Sequence, residues 1–573
     1  MRDVLIVGSG AGGGPLALAL ARAGFDVLVL EKGPRHRRAD YRHDEMELRL
    51  RPDFFIPSPE TEPHVLVEAS RPDAPPRRST LGWIACCVGG GTAHMGGTLY
   101  RFHPDDFRLR SRLGAFEELE DWPYGYDELE PYYVRAEWEV GVSGPADTGP
   151  FTGFRSRAFP MPPVRSHPLA ARFDATCRSL GLHPFATPRA VNSRRYRGRP
   201  ACAHCDFCAG FGCPTGARGS TVESLLGRAR RTGRCRVLPN VMVRKITTGA
   251  DGRATGCIAL DASGGEHRVR ARLVCICCSA VESARLLLLS RSPRFPDGVA
   301  NGSGRVGRHL QLHATSSGRA CFRRDRHPSA GLEDRNPFLG RSVMDHYFLP
   351  PGVSPLPKGG VLRFDMQRTY PVSEARRAAR EGGALLWGEP LVRRLRERFV
   401  ESREVEWESF QDFVPNRETY VELDGEVTDR WGLPVARIHL AEPEHHRASG
   451  GFLADRAREI LDAMGADGTV VDDVGRTATA MAQGTCRAGA DPARSVLNGF
   501  CQAHQVPNLF VVDGSFMPTS GGSPTTLTIL ANAFRTADYI ADRARTGDLH
   551  RTLRRGAPRP SLPVRPDAPG SAP

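Results

Sequence analysis

The segment Val7-Gly8-Ser9-Gly10-Ala11-Gly12-Gly13 sets Gly8, Gly10 and Gly13 at the spacing G-x-G-x-x-G. Such a segment acts through its backbone. The first glycine permits a tight turn, the second lets the main chain approach a pyrophosphate, and the third lets a helix pack closely on a strand. A helix beginning there would offer free N–H groups and the positive end of its dipole to phosphate. Glu31 follows at the distance where an acid can accept ribose hydroxyls. A second cluster is made of thiols. Cys202, Cys205, Cys208 and Cys213 follow the pattern C-x2-C-x2-C-x4-C-P. Thiolates at these gaps can converge on one metal centre, although the last gap is one residue longer than in bacterial ferredoxin runs. An iron–sulfur cluster, a four-thiolate zinc site and four free thiols all remain open readings.

The elements that must position these residues are legible near the N-terminus. Residues 3–7 are an apolar run, 15–22 carry a helical pattern with Pro15 in the first turn, and 27–30 form a second apolar run. This is a βαβ unit with the glycines at its first turn. Residues 34–80 read as irregular structure, and 111–200 show little clean periodicity. Strand patterns recur at 235–246, 254–260, 270–278, 435–440 and 508–512. Helices are expected at 220–231, at 280–289 and after the loop at 523. The Pro- and Arg-rich tail, 546–573, is expected to be disordered.

A chain of 573 residues is too long for one compact core, so two or more lobes are expected. The net charge of +13 comes from scattered arginines without an aromatic-interleaved stripe, which argues against a nucleic-acid partner. No run of eighteen apolar residues exists, so no membrane span is expected. The N-terminus enters a strand at once, without room for a signal peptide, and a cytoplasmic location is the expectation. The fifteen cysteines would then be free thiols or metal ligands, with Cys275, Cys277 and Cys278 acting as small buried hydrophobes.

Five segments, in order, resemble the glucose–methanol–choline (GMC) oxidoreductases over nearly the full length, with gluconate- and glucose-dehydrogenase-like members nearest in character. They are the N-terminal unit, the stretch 88–107 with Gly89-Gly90-Gly91-Thr92-Ala93-His94, the strand around Val243, the helix Ala280-Val281-Glu282-Ser283-Ala284-Arg285, and Asn508-Leu509-Phe510-Val511-Val512-Asp513-Gly514-Ser515. The resemblance implies FAD as the cofactor. Gly90, Gly91 and His94 would lie beside the flavin, Val243 on the adenine side, and Asp513 with Gly514 near the ribityl or pyrophosphate. It also implies an α/β fold: a Rossmann-like doubly wound FAD-binding domain (1–50, 80–110, 215–310, 475–545) with an inserted α+β substrate-binding lobe (111–214, 311–474). Some members bond FAD covalently through a histidine with the spacing of His94, and some carry an iron–sulfur cluster.

The implied activity is oxidation of an alcohol, sugar or polyol CH–OH group by hydride transfer to flavin. A dehydrogenase passing electrons to an acceptor protein is favoured over an oxidase, because the cysteine run could relay electrons. Here the chain departs from the family pattern. The usual catalytic histidine is Met481, and its histidine or asparagine partner is Pro524. Neither exchanges a proton as those residues do. His313 is the replacement candidate on the segment that in the family leads back to the active site; His504, at the amino end of its strand, reads as structural. Three readings stay open: a different base from the second lobe, a substrate activated enough to need none, or an FAD-binding protein that is non-catalytic or redox-neutral.

Overall fold

The computed structural model describes residues 1–49, 54–114, 116, 118–366, 370–478 and 481–546. The tail expected to be disordered lies outside them from residue 547 onward.

Five parallel strands form the heart of the first sheet, in the order Cys235–Leu238, Val27–Leu30, Arg2–Val7, Glu266–Ile276 and Leu509–Val511. Their register aligns the carboxyl ends. Val7 pairs with Leu30 and Ile276, Leu30 with Leu238, and Ile276 with Val511. The residues that follow, Gly8, Glu31, Cys277 and Asp513, therefore emerge along one edge, where open α/β sheets bind ligands. Glu266–Ile276 is long enough to pair twice. Its first half runs antiparallel to Ala254–Leu260, which in turn pairs with Met242–Thr248.

The helix Gly13–Arg22 reads GGPLALALAR and is buried from Gly13 to Ala21. A helix apolar on every side has to lie between other elements. This one packs between the sheet and the helix Thr526–Thr546.

A second sheet has six strands with antiparallel neighbours, in the order Gly468–Thr477, Ala314–Arg323, Ser402–Gln411, Gly360–Asp365, Arg341–Val343 and Phe185–Ala186. Alternation along Ser402–Gln411 buries Val405 and Trp407 in one core with Leu362, Phe364 and Leu453 of the helix His445–Ala463. Glu404, Glu406 and Glu408 take the other face.

Two sequence expectations need correction. Residues 34–80 are not wholly irregular: His64–Glu68 and Arg77–Ser79 join Tyr420–Thr428 and Pro434–Leu440 in a four-stranded sheet. The parallel partner of His64–Glu68 lies far along the chain, so no local pattern announces it. Residues 111–200 hold the helices Tyr126–Val140 and Leu169–Ser179. The first contains Pro131, which masks its periodicity.

Candidate active site

One cavity of about 460 Å³ opens along the aligned strand ends and continues to the face of the second sheet. It is lined by Gly8, Gly10, Glu31, Gly90, Gly91, His94, Val243, Asp513 and Gly514 along the first sheet, and by Arg363, Glu408, Phe410, Met481 and Pro524 at the other end. Residues from widely separated stretches of chain are thus brought to one space.

The dinucleotide half is built from backbone. Gly12, which caps the helix Gly13–Arg22, makes no side-chain cap; the Gly14 N–H turns back to the Gly10 carbonyl at 3.0 Å and Pro15 has none, which leaves the remaining N–H groups of the helix start for a ligand. A Cβ on Gly13 would fall 2.0 Å from the Gly8 carbonyl oxygen, so only glycine lets helix and strand approach this closely. A Cβ on Gly10 would meet nothing nearer than the Gly90 Cα at 3.7 Å; this glycine keeps the cavity open rather than the protein packed. Glu31 receives hydrogen bonds from the Ser9 N–H at 3.0 Å, the Ser9 hydroxyl at 2.7 Å and the Gly33 N–H at 3.1 Å. Burial raises its proton affinity, and Ser9 and Gly33 oppose that. Asp513 is likewise held by the Ser279 N–H at 3.0 Å, the Ser283 hydroxyl at 2.5 Å and the Ser515 N–H at 2.8 Å. Both carboxylates are fixed before any ligand arrives. An uncapped helix start, an open glycine strip and two oriented acids along one edge fit FAD.

His94 stacks on Phe55 with ring centroids 4.6 Å apart, and its Nε2 lies 2.8 Å from the Ile84 carbonyl oxygen. Burial pushes its pKa down to about 4.

At the other end, Met481 occupies the left-handed region with φ 65°, a conformation costing about 1–3 kcal/mol. Reciprocal backbone hydrogen bonds at 2.9 Å between Gln311 and Gln483, and one of 3.0 Å from the Gly484 N–H to the Gly514 carbonyl, hold the segment. Facing it, the Arg363 Nη2 donates to the Glu408 Oε2 at 3.0 Å and its Nη1 to the Thr98 hydroxyl at 3.2 Å. Sequence reasoning missed this pair. The only signal was the alternation of Glu404, Glu406 and Glu408, which reads equally well as a solvated face.

Across this geometry, the family models of GMC oxidoreductase match residues 77–315 and 415–533, and a model of the NAD(P)-binding Rossmann-like domain matches 6–66. The chain is 32% identical over 550 residues to a paromamine 6'-oxidase of Streptomyces fradiae, covering 94% of this chain and 91% of that protein. The chain belongs to the GMC oxidoreductase family. A 2-methyl-1,2-propanediol dehydrogenase of Mycolicibacterium austroafricanum is 31% identical, with 94% of this chain and 95% of that protein covered. Among solved structures, a pyridoxine 4-oxidase of Mesorbium loti shares the fold with a TM-score of 0.60 at 17% identity, covering 94% of this chain and 99% of that one. FAD is the cofactor of this GMC oxidoreductase.

Two site expectations are corrected by the geometry. His313 does not line the cavity. It is fully buried beside Phe410, ring centroids 6.0 Å apart, and its Nδ1 lies 3.2 Å from the Gln411 carbonyl oxygen. Burial pushes its pKa down to about 4, so it is a neutral core imidazole. The four cysteines do not form a metal centre either. All are free, and among the described residues no three His, Cys, Asp or Glu side chains are grouped to hold a metal ion. Short gaps permit convergence without requiring it. Cys208 instead packs in a small core with Val164, Val191 and Phe338, with Cys202 against its edge. Cys213 turns to the Thr215 hydroxyl at 3.4 Å. Among the described residues the thiols are not grouped as an iron–sulfur or zinc site requires, so the structure gives no support to the electron-relay argument for a dehydrogenase over an oxidase. Among the described residues no helix is long and apolar enough to cross a membrane.

Proposed function

We propose that this GMC oxidoreductase oxidises a CH–OH group of a small alcohol, polyol or sugar. The observation that carries the reading is the continuity of one cavity from the fingerprint glycines to Met481, Pro524 and the Arg363–Glu408 pair. Bound FAD supplies the two-electron acceptor for the carbinol hydride. The protein's part is to bind and orient. The helix start and the glycine strip fix the dinucleotide, the apolar Met481, Pro524 and Phe410 exclude water from the reacting carbon, and the polar pair receives the hydroxyl. A small electron-acceptor protein is compatible with this reading, as is direct reoxidation by oxygen. A flavoprotein without redox chemistry is the weaker alternative, because the substrate end places an ionisable pair on the cavity wall.

The test is anaerobic mixing of the FAD-loaded protein with 2-methyl-1,2-propanediol, paromamine, simple primary alcohols and common sugars, following the visible flavin band. At least one should bleach it. A band that survives the whole panel while dithionite still bleaches it would sink the proposal.

A further inference from the structure

Met481 and Pro524 leave the family's two proton-handling positions without a titratable group, yet alcohol oxidation needs the hydroxyl proton to go somewhere. The cavity offers few receivers. The Glu31 and Asp513 carboxylates are occupied by serine and backbone donors. Glu282 is tied to Arg285 at 3.2 Å and to His64 at 3.2 Å; burial would raise its proton affinity, but the surrounding cations hold it well below the usual carboxylate range. His94 donates its Nε2–H to the Ile84 carbonyl, and burial, which lowers its pKa to about 4, makes the remaining ring nitrogen a weak base. Burial raises the Cys86 thiol to about 12 and pushes Cys277 and Cys278 up as well, so none is a base.

Glu408 differs from all of them. It stands directly across from Arg363 in the strand register. One of its oxygens, Oε2, is engaged by that arginine, and no hydrogen bond among the described residues engages Oε1. Its side chain is 32% exposed, and the residue lines the cavity. Arg363 adds a second sign of a missing ligand: its Nε is buried and without a hydrogen-bond partner, a cost that a bound oxygen atom would remove. Across the other strand neighbour, Glu408 faces Ser317, which is neutral. Arg363 is therefore the charged group that confronts it. Burial raises the proton affinity of Glu408, and Arg363 opposes this without cancelling it.

We propose that Glu408 is the catalytic base of this enzyme and that Arg363 holds the substrate oxygen beside it. This rests on the CH–OH oxidation proposed above. The substrate O–H bond breaks and its proton passes to the Glu408 Oε1. The electron pair left on oxygen forms the second carbon–oxygen bond. The carbinol C–H bond breaks with its electron pair leaving as hydride to FAD, so the alcohol loses two electrons and FAD gains them. An Arg-paired carboxylate from the second sheet thus replaces the histidine of the usual site.

Two measurements on the FAD-loaded enzyme test this. The first needs no turnover: infrared difference spectra across a pH titration should show a protonated carboxyl band that disappears above the ordinary carboxylate range and is missing in Glu408→Gln. Identical titrations of wild type and variant overturn the assignment, whatever the enzyme oxidises. The second is the anaerobic rate of flavin reduction, with 2-methyl-1,2-propanediol or whichever panel alcohol bleaches the wild type as probe. Glu408→Gln keeps shape and polarity but cannot take the proton. It should reduce at least about 10²-fold more slowly with an unchanged flavin spectrum, while Glu408→Asp recovers part of the rate. Glu408→Gln at wild-type speed overturns the inference. A wild type that no alcohol bleaches counts against the proposed function instead, and the infrared titration still decides the fate of Glu408.

Discussion

Gly10 and Gly13 lie three residues apart and serve different ends. At Gly10 the space beyond a Cβ belongs to the cavity; at Gly13 it belongs to the Gly8 carbonyl. Gly10→Leu should therefore give a folded protein with little flavin, seen as a low ratio of visible to ultraviolet absorbance at the melting temperature of the flavin-stripped wild type. Gly13→Ala should instead lower stability by about 1–3 kcal/mol, the usual range for overpacking. If both variants keep full flavin and full stability, the assignment of the fingerprint is wrong. These residues were legible in the sequence because strand, turn and helix are contiguous there, and Asp513 was legible because it ends a short apolar run. Glu408 was not. Its meaning depends on Arg363, which reaches it only through pairing of strands separated in the chain. The cysteine run failed in the opposite way, since its spacing was plain but the directions of its sulfurs depend on which neighbours they pack against.

At the scale of elements, the segment carrying Pro524 is braced by a buried polar network. The Tyr347 hydroxyl donates to the Asp106 Oδ2 at 2.6 Å and accepts from the Gly522 N–H at 2.9 Å. Lys358 completes the network, its Nζ 2.8 Å from the Asp106 Oδ1 with both side chains fully buried. Tyr347→Phe leaves two buried groups short of a partner and should cost about 1–3 kcal/mol. Lys358→Met strands a buried carboxylate and should cost about 3–5 kcal/mol. Adding Asp106→Asn to Lys358→Met should restore part of that loss, because the stranded charge is gone. Urea unfolding of the wild type, the three single variants and the double variant checks this, and additive losses in the double variant would refute the pairing. None of the network was readable in advance: Lys358, Asp106 and Tyr347 sit in three stretches without clean periodicity. The helices and parallel strands at both ends of the chain were readable because their apolar runs are continuous and end at glycine or at an acid.

Across the whole molecule, a buried histidine whose pKa is depressed and a buried carboxylate whose pKa is raised answer acid in opposite directions. His445, with its Nε2 3.2 Å from the Asp412 carbonyl oxygen, is pushed by burial down to about 4, as His313 is. A histidine whose folded pKa lies below its unfolded value of about 6.5 destabilises the fold as pH falls between the two, because only the unfolded chain takes up the proton. Asp412 is the reverse case. Burial raises it to about 6, with Lys358 opposing and Asp106 adding to the rise. The folded protein then binds the proton first, and stability increases as pH falls from about 6 towards the unfolded value near 3.9. The two contributions offset each other, so the parent protein should show a flatter acid response than either group alone would give. Substitution exposes each side. His445→Gln keeps a donor for the Asp412 carbonyl but removes the titration, so relative to wild type it should gain up to about 3 kcal/mol between pH 6.5 and 4, at about 1.4 kcal/mol per pH unit. Asp412→Asn should lose ground over nearly the same window. Urea midpoints at pH 7 and pH 4.5 measure both. Differences from wild type that stay constant with pH would mean that neither group titrates as its burial requires.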